Sequence, residues 1–83
     1  LEIKKHHERR LREIVDALRS GMKNAWQIAP YITWDIKYDS WEEIPTTQRW
    51  FIISETIAHL HHLEKNGVVT REIKNETIRW GLK

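Results

Sequence analysis

Residues 46–66, TTQRWFIISETIAHLHHLEKN, predict one long helix that the rest of the chain packs around. The apolar side chains at helical spacing, which are predicted to face a core, are Trp50, Ile53, Ile57 and Leu60. The residues that widen this arc beyond half of the circumference are Ile52, Thr56 and Leu63. Such a helix should contact other elements on more than one side. Gly67 is expected to end it, because glycine readily adopts the positive φ of a helix C-terminus.

Two shorter helices are predicted before this one. An amphipathic helix within residues 1–20 has apolar spacing from Ile3 to Leu18 and ends at Ser20-Gly21. A second helix within residues 24–33 has Asn24 as its N-cap, and Pro30 is expected to end or kink it. Residues 31–38, YITWDIKY, fit either a short extended segment or the tail of the second helix followed by a loop. Ser40 and Glu43 have the spacing of a capping box that opens one turn before Pro45.

The C-terminal residues 68–82 predict a β-hairpin. Two β-rich runs flank a polar connection at Lys74-Asn75-Glu76. The order of helix, helix, irregular segment, long helix and hairpin is the winged-helix arrangement, with the hairpin as the wing. The predicted fold class is therefore α+β, a single small winged-helix domain of three helices and a C-terminal hairpin.

Composition limits the classes of function. The 83 residues include no cysteine, which fits a reducing compartment, so a cytoplasmic location is expected. No apolar run has the length of a membrane span, and no signal peptide or anchor is expected. Fourteen Lys and Arg against twelve Asp and Glu give a net charge of +2, which is too small to indicate nucleic-acid binding.

The sequence shows no arrangement typical of a catalytic or metal site. There is no nucleophile and base pair, no paired carboxylates in an apolar setting and no glycine-rich phosphate loop. His59, His61 and His62 do not converge on one ion when placed on a helix, and His61 is predicted to pack at the core edge while the other two face solvent. The pair His6-His7 is likewise interpreted as helix surface. We expect no catalysis and no bound metal or other cofactor in this chain.

Aromatic residues exceed what one small core can hold. The large aromatic side chains competing for the core are Trp26, Trp34, Tyr38, Trp41, Trp50, Phe51 and Trp80. Aromatic side chains outside a core are enriched in protein interfaces, although partial burial under the irregular segment is an equal alternative for them. A winged helix could instead be a free-standing DNA-binding regulator, but the polar side of the long helix is nearly neutral.

Several segments in fixed order resemble the C-terminal winged-helix domain of metallo-β-lactamase-fold hydrolases. They are HHERRLREIVDAL at 6–18, AWQIA at 25–29, WDIKYDSWEEIP at 34–45, QRWF at 48–51, Glu55, and AHLHHLEKNGVV at 58–69. The resemblance covers about residues 6–72, and Pro30 within the second helix departs from it. It implies that the chain is the C-terminal part of a longer enzyme.

The resemblance further implies an N-terminal αββα catalytic domain that binds two metal ions, usually zinc, through a His-x-His-x-Asp-His motif absent from this chain. The domain would pack on the catalytic domain of the same parent chain and help to shape the substrate entrance, without being an enzyme alone. The resemblance does not identify the substrate, and whether the chain self-associates stays open. The residues expected to face the catalytic domain are His7, Arg10, Trp34, Tyr38, Trp41 and Phe51.

Overall fold

Three α-helices precede a two-stranded antiparallel hairpin. This computed structural model describes residues 2–34 and 38–83, with side chains from residue 8 onward. The elements in chain order are α1 (Glu2–Leu18), α2 (Ala25–Ile28), α3 (Thr46–Lys65), β1 (Val69–Lys74) and β2 (Thr77–Leu82), with 3-10 turns at Ala29–Tyr31 and Trp41–Glu43. The predicted α+β class, with three helices and a C-terminal hairpin, is confirmed.

The second helix is shorter than the predicted range of 24–33. Asn24 caps it as expected: its Oδ1 accepts from the Gln27 N–H and the Gln27 Oε1 accepts from the Asn24 N–H, each at 2.9 Å. The α-helix lasts one turn, and Pro30 lies in the 3-10 turn that follows. Proline has no N–H to donate and disfavours helical geometry in the residue before it, so the α-helix ends here.

The connection to α3 differs in one detail from the prediction. Trp41–Glu43 form the expected single turn, but the Ser40 side chain makes no capping hydrogen bond. The Glu43 carboxylate accepts from the Asp39 N–H at 3.3 Å instead, so the predicted capping box is wrong. Ile32–Trp34 have no regular secondary structure. The remainder of the extended segment considered above, residues 35–37, lies outside the described residues.

Helix α3 ends at a Schellman motif. Gly67 has φ of +75°, and its N–H donates to the Glu64 carbonyl while the Val68 N–H donates to the Leu63 carbonyl. The hairpin then pairs Val69 with Leu82 through to Lys74 with Thr77. Asn75 and Glu76 both have positive φ, the backbone geometry of a tight two-residue hairpin turn. Lys23 pairs with Trp80 on the other side of β2, which attaches the hairpin to the helices.

The buried side of α3 is rotated from the predicted one. Leu60 and Ile53 are buried as expected, but the arc is centred on Ile52, Thr56 and Leu63, and Trp50 is 58% exposed. The prediction that Trp50 faces the core is therefore wrong. The physical reason is that α3 contacts α1, α2 and β1, and these three neighbours determine which side of the helix is buried. Within the described residues, no helix combines the length and apolar content of a membrane span.

Candidate functional site

The segment that follows the second helix is fixed against α1. The Glu13 carboxylate on α1 accepts from the Thr33 hydroxyl at 2.6 Å and from the Thr33 N–H at 3.1 Å. The next residue, Trp34, donates from Nε1 to the Ala29 carbonyl at 3.1 Å, so its indole is attached to the start of the 3-10 turn that follows the second helix. Satisfying the indole N–H within the chain leaves the rest of the half-buried ring as an apolar surface.

Arg10 covers this indole from α1. Its guanidinium carbon lies 4.7 Å from the centre of the Trp34 ring, within the range of a cation–π contact. Arg10 and Glu13 are three residues apart and share one side of the helix, which explains why α1 engages Thr33 and Trp34 in succession. The sequence alone does not show this role of Arg10 and Glu13, because it depends on the path of the chain beyond Pro30.

A second indole and arginine pair forms where the chain enters α3. Trp41 opens the 3-10 turn Trp41–Glu43, and the Arg49 guanidinium carbon lies 5.8 Å from the centre of its ring. Arg49 also donates from Nη2 to the Glu42 carbonyl at 2.6 Å, which attaches this turn to the first turn of α3. Arg49 was not among the predicted contact residues, because its position beside Trp41 depends on the connection at Ile44-Pro45.

The two pairs flank one cavity. It has a volume of about 200 Å³, and the aromatic, aliphatic and polar residues that line it are Pro30, Ile32, Trp34, Tyr38, Asp39, Ser40, Trp41 and Ile44. We name Arg10, Trp34, Tyr38, Trp41 and Arg49 the aromatic–arginine surface. Four of these five residues are among the six predicted contact residues, and the structure places them in one region of the molecule.

The other two predicted contact residues do not belong to this surface. The side chain of His7 lies outside the described residues. Phe51 is 64% exposed on α3 and does not line the cavity. The structure thus brings four of the six residues together, and Phe51 presents a separate apolar side chain to solvent. Their contact with a catalytic domain stays a prediction.

An apolar groove between α3 and the hairpin is not predicted by the sequence. Trp26 and Trp50 meet edge to face with ring centres 5.3 Å apart, and both are exposed. Together with Ile57, Ile78 and Trp80 they line a groove of about 380 Å³ between α3 and the hairpin. Of these three tryptophans, Trp80 is buried, whereas Trp26 and Trp50 are exposed, as an excess of aromatic residues over the core predicts for some of them.

His59 and His61 exchange the roles predicted for them, whereas His62 is exposed as predicted. His59 is 7% exposed, with Nδ1 2.6 Å from the Glu55 carbonyl oxygen. His61 is exposed, although its ring does contact the buried Trp80 edge to face at 5.5 Å. Among the described side chains, no three His, Cys, Asp or Glu groups come together in a way that could hold a metal ion.

The exposed side of α3 gives little attraction for phosphate. Its exposed residues after the first turn are Trp50, Phe51, Ser54, Ala58, His61, His62 and Lys65. Only one of these is a lysine or arginine. On the hairpin, Arg79 lies opposite Glu72, which offsets its charge. The basic stripe that a DNA-binding helix and wing require is not found on these described faces.

Comparison with known proteins identifies the family. A family model described as "Metallo-beta-lactamase-like, C-terminal domain" matches residues 11–82. The crystal structure of a beta-lactamase domain protein from Burkholderia ambifaria matches with a TM-score of 0.82 and 25% sequence identity. It covers 99% of this chain, which spans only 23% of that protein. No match is found among curated proteins. The resemblance stated from the sequence is confirmed: this chain belongs to the metallo-β-lactamase-like C-terminal domain family.

Proposed function

We propose that this chain is the accessory winged-helix domain of a metallo-β-lactamase-fold hydrolase and packs on the N-terminal catalytic domain of its parent protein. The family match and the much greater length of the related Burkholderia protein support an additional, preceding domain. Catalysis belongs to that domain, which would hold two metal ions, with zinc as the usual metal. The present chain contributes binding surface and helps to shape the substrate entrance.

The observation that carries this proposal is the aromatic–arginine surface. Trp34 and Trp41 remain only half-buried although hydrogen bonds and arginine stacking fix the positions around them. Ordering large aromatic side chains before association lowers the entropic cost of docking, and burying them afterwards stabilises the contact. Tryptophan and arginine are among the residue types that most often dominate the binding energy of protein interfaces.

The test is a double substitution in the complete parent protein. Trp34→Ala with Trp41→Ala should release the domain, so that protease cleavage between the two domains accelerates and thermal unfolding separates into two transitions. The matched control is Trp26→Ala with Trp50→Ala, which removes two exposed indoles from the other groove. Circular dichroism of each variant checks that the helices are retained.

Three results would overturn the proposal as stated. Unchanged cleavage, unfolding and hydrolase activity in the Trp34/Trp41 variant would exclude docking through this surface. Release of the domain by the Trp26/Trp50 control alone would move the contact to the groove between α3 and the hairpin. A parent gene without a metal-binding motif upstream would remove the hydrolase assignment altogether.

A further inference from the structure

Arg10 and Arg49 have hydrogen-bonding capacity that the described residues do not use. The Nε atom of each is buried and makes no hydrogen bond in the described structure. Arg49 donates from Nη2 to a backbone carbonyl, which leaves its charge without a carboxylate partner. The arginines that do form ion pairs among the described residues are Arg19, with Asp16, and Arg71, with Glu64. Both arginines of the aromatic–arginine surface therefore lack a counterion among the described residues.

The indole contacts help to position these guanidinium groups. The guanidinium carbon of Arg10 lies 4.7 Å from the centre of the Trp34 ring, and that of Arg49 lies 5.8 Å from the centre of the Trp41 ring. A guanidinium has its N–H donors in its own plane, where a carboxylate can accept two parallel hydrogen bonds. Each of the two indoles that line the cavity thus has a cationic donor beside it.

Two of the described acidic side chains nearby are engaged elsewhere. Glu13 accepts both hydrogen bonds from Thr33, and Glu43 accepts from the Asp39 N–H. Asp39 lines the cavity, but no ion pair joins it to Arg10 or Arg49 in the described structure. The Arg10 Nη atoms and the Arg49 Nη1 atom make no hydrogen bond among the described residues and are not buried, so an acceptor supplied by another domain can reach them.

We propose that the aromatic–arginine surface binds an acidic segment of the preceding catalytic domain. One Asp or Glu of that segment pairs with Arg10, a second pairs with Arg49, and the chain between them packs over the cavity at Trp34, Tyr38 and Trp41. This inference rests on the proposed function and specifies the chemistry of its contact. Charge complementarity then fixes the orientation of the domain, while the indoles supply most of the buried area.

A protein segment fits this surface better than a nucleic-acid backbone does. Asp39 lies in the cavity wall, and Glu42 and Glu43 are exposed in the adjoining turn. These carboxylates would repel a continuous run of phosphates. Two discrete carboxylates on a folded domain can meet the two arginines and avoid that repulsion.

The experiment compares two pairs of substitutions, each of which removes two positive charges from the complete parent protein. Arg10→Gln with Arg49→Gln should accelerate protease cleavage between the domains by at least roughly tenfold, because the carboxylates of the partner domain lose their counterions. The control Arg9→Gln with Arg12→Gln removes the same charge from exposed positions of α1 and should leave cleavage unchanged. Raising the salt from about 50 to about 500 mM should accelerate cleavage of the unaltered protein and have little effect on the Arg10/Arg49 variant.

The outcomes separate this inference from the proposed function. If Trp34→Ala with Trp41→Ala releases the domain but Arg10→Gln with Arg49→Gln does not, the docking surface stands and its acidic partner is excluded. If neither variant releases the domain, both proposals fail. Retained circular dichroism in the arginine variant, together with release reversed in Arg10→Lys with Arg49→Lys, would show that charge and not folding is responsible. Cleavage independent of salt in the unaltered protein would overturn the inference.

Discussion

Glu13 and Thr33, twenty residues apart, are joined by hydrogen bonds from both the hydroxyl and the backbone N–H of the threonine to one carboxylate. This contact fixes the chain immediately before Trp34 and lies one helical turn from Arg10. We expect a double-mutant cycle of Glu13→Gln and Thr33→Val to show a coupling energy of about 1–2 kcal/mol, because hydrogen bonds to a charged acceptor exceed neutral ones. Urea unfolding of the four proteins measures it.

The matched control for this cycle replaces Glu8, an exposed carboxylate on the same helix. Glu8→Gln removes the same charge and should show no coupling with Thr33→Val, since sites without a shared partner behave additively. Additive free energies in the Glu13 cycle would mean that the carboxylate contributes nothing specific to the placement of Trp34.

A second prediction concerns the centre of the core. Leu60 on α3 has no exposed surface, so Leu60→Ala should lower the free energy of unfolding by about 2–5 kcal/mol through lost burial and a residual cavity. That is a large part of the stability of a domain of this size. Ile73→Ala, at a hairpin position that is 69% exposed, is the control and should change it by less than about 1 kcal/mol. Similar losses in both variants would contradict the assigned core.

Hydrophobic spacing predicted the elements but not the rotation of α3. The long helix and the hairpin have strong local signals, such as Gly67 after the last turn and the polar connection near Asn75. Which side of α3 is buried depends on neighbours on three sides, and an arc wider than half of the helix leaves several rotations open. Trp50 was therefore assigned to the core, whereas Thr56 is buried there with its hydroxyl bonded to the Ile52 carbonyl at 2.8 Å.

The sequence indicated which residue types form the candidate site but not every residue that belongs to it. An excess of aromatic residues indicated that some of them lie at the surface, and Trp34, Tyr38 and Trp41 are close in sequence. Arg49 joins them only through the fold, because it reaches Trp41 across the entry to α3. Phe51 is two residues further along the same helix, but this places its side chain in another direction.

The C-terminal motif of α3 gives a prediction about the backbone alone. Gly67 has φ of +75°, and a Cβ added there would meet no atom within 4 Å. Gly67→Ala should therefore cost about 1–2 kcal/mol, the price of left-handed geometry for an L-residue, without any clash. Gly67→Asn should cost less, because asparagine tolerates that region better. Equal losses in thermal unfolding for both variants would indicate that side-chain packing, and not backbone geometry, sets the requirement.

The last prediction concerns the contact between the hairpin and α3. Glu64 lies 3.3 Å from Arg71 of β1 and 3.8 Å from His61, and both of these side chains also lie against the buried Trp80. All three side chains are partly exposed, so Glu64→Gln should lower the free energy of unfolding by no more than about 1 kcal/mol at low salt. Its effect should shrink as salt screens the pair, whereas Glu72→Gln on the hairpin serves as a control without a described ion pair to Arg71. Hydrogen exchange of the Trp80 amide is the direct measurement, because faster exchange in the Glu64 variant would show local release of β2. If exchange at Trp80 stays unchanged, the pairing of Lys23 with Trp80 holds the hairpin in place without help from Glu64.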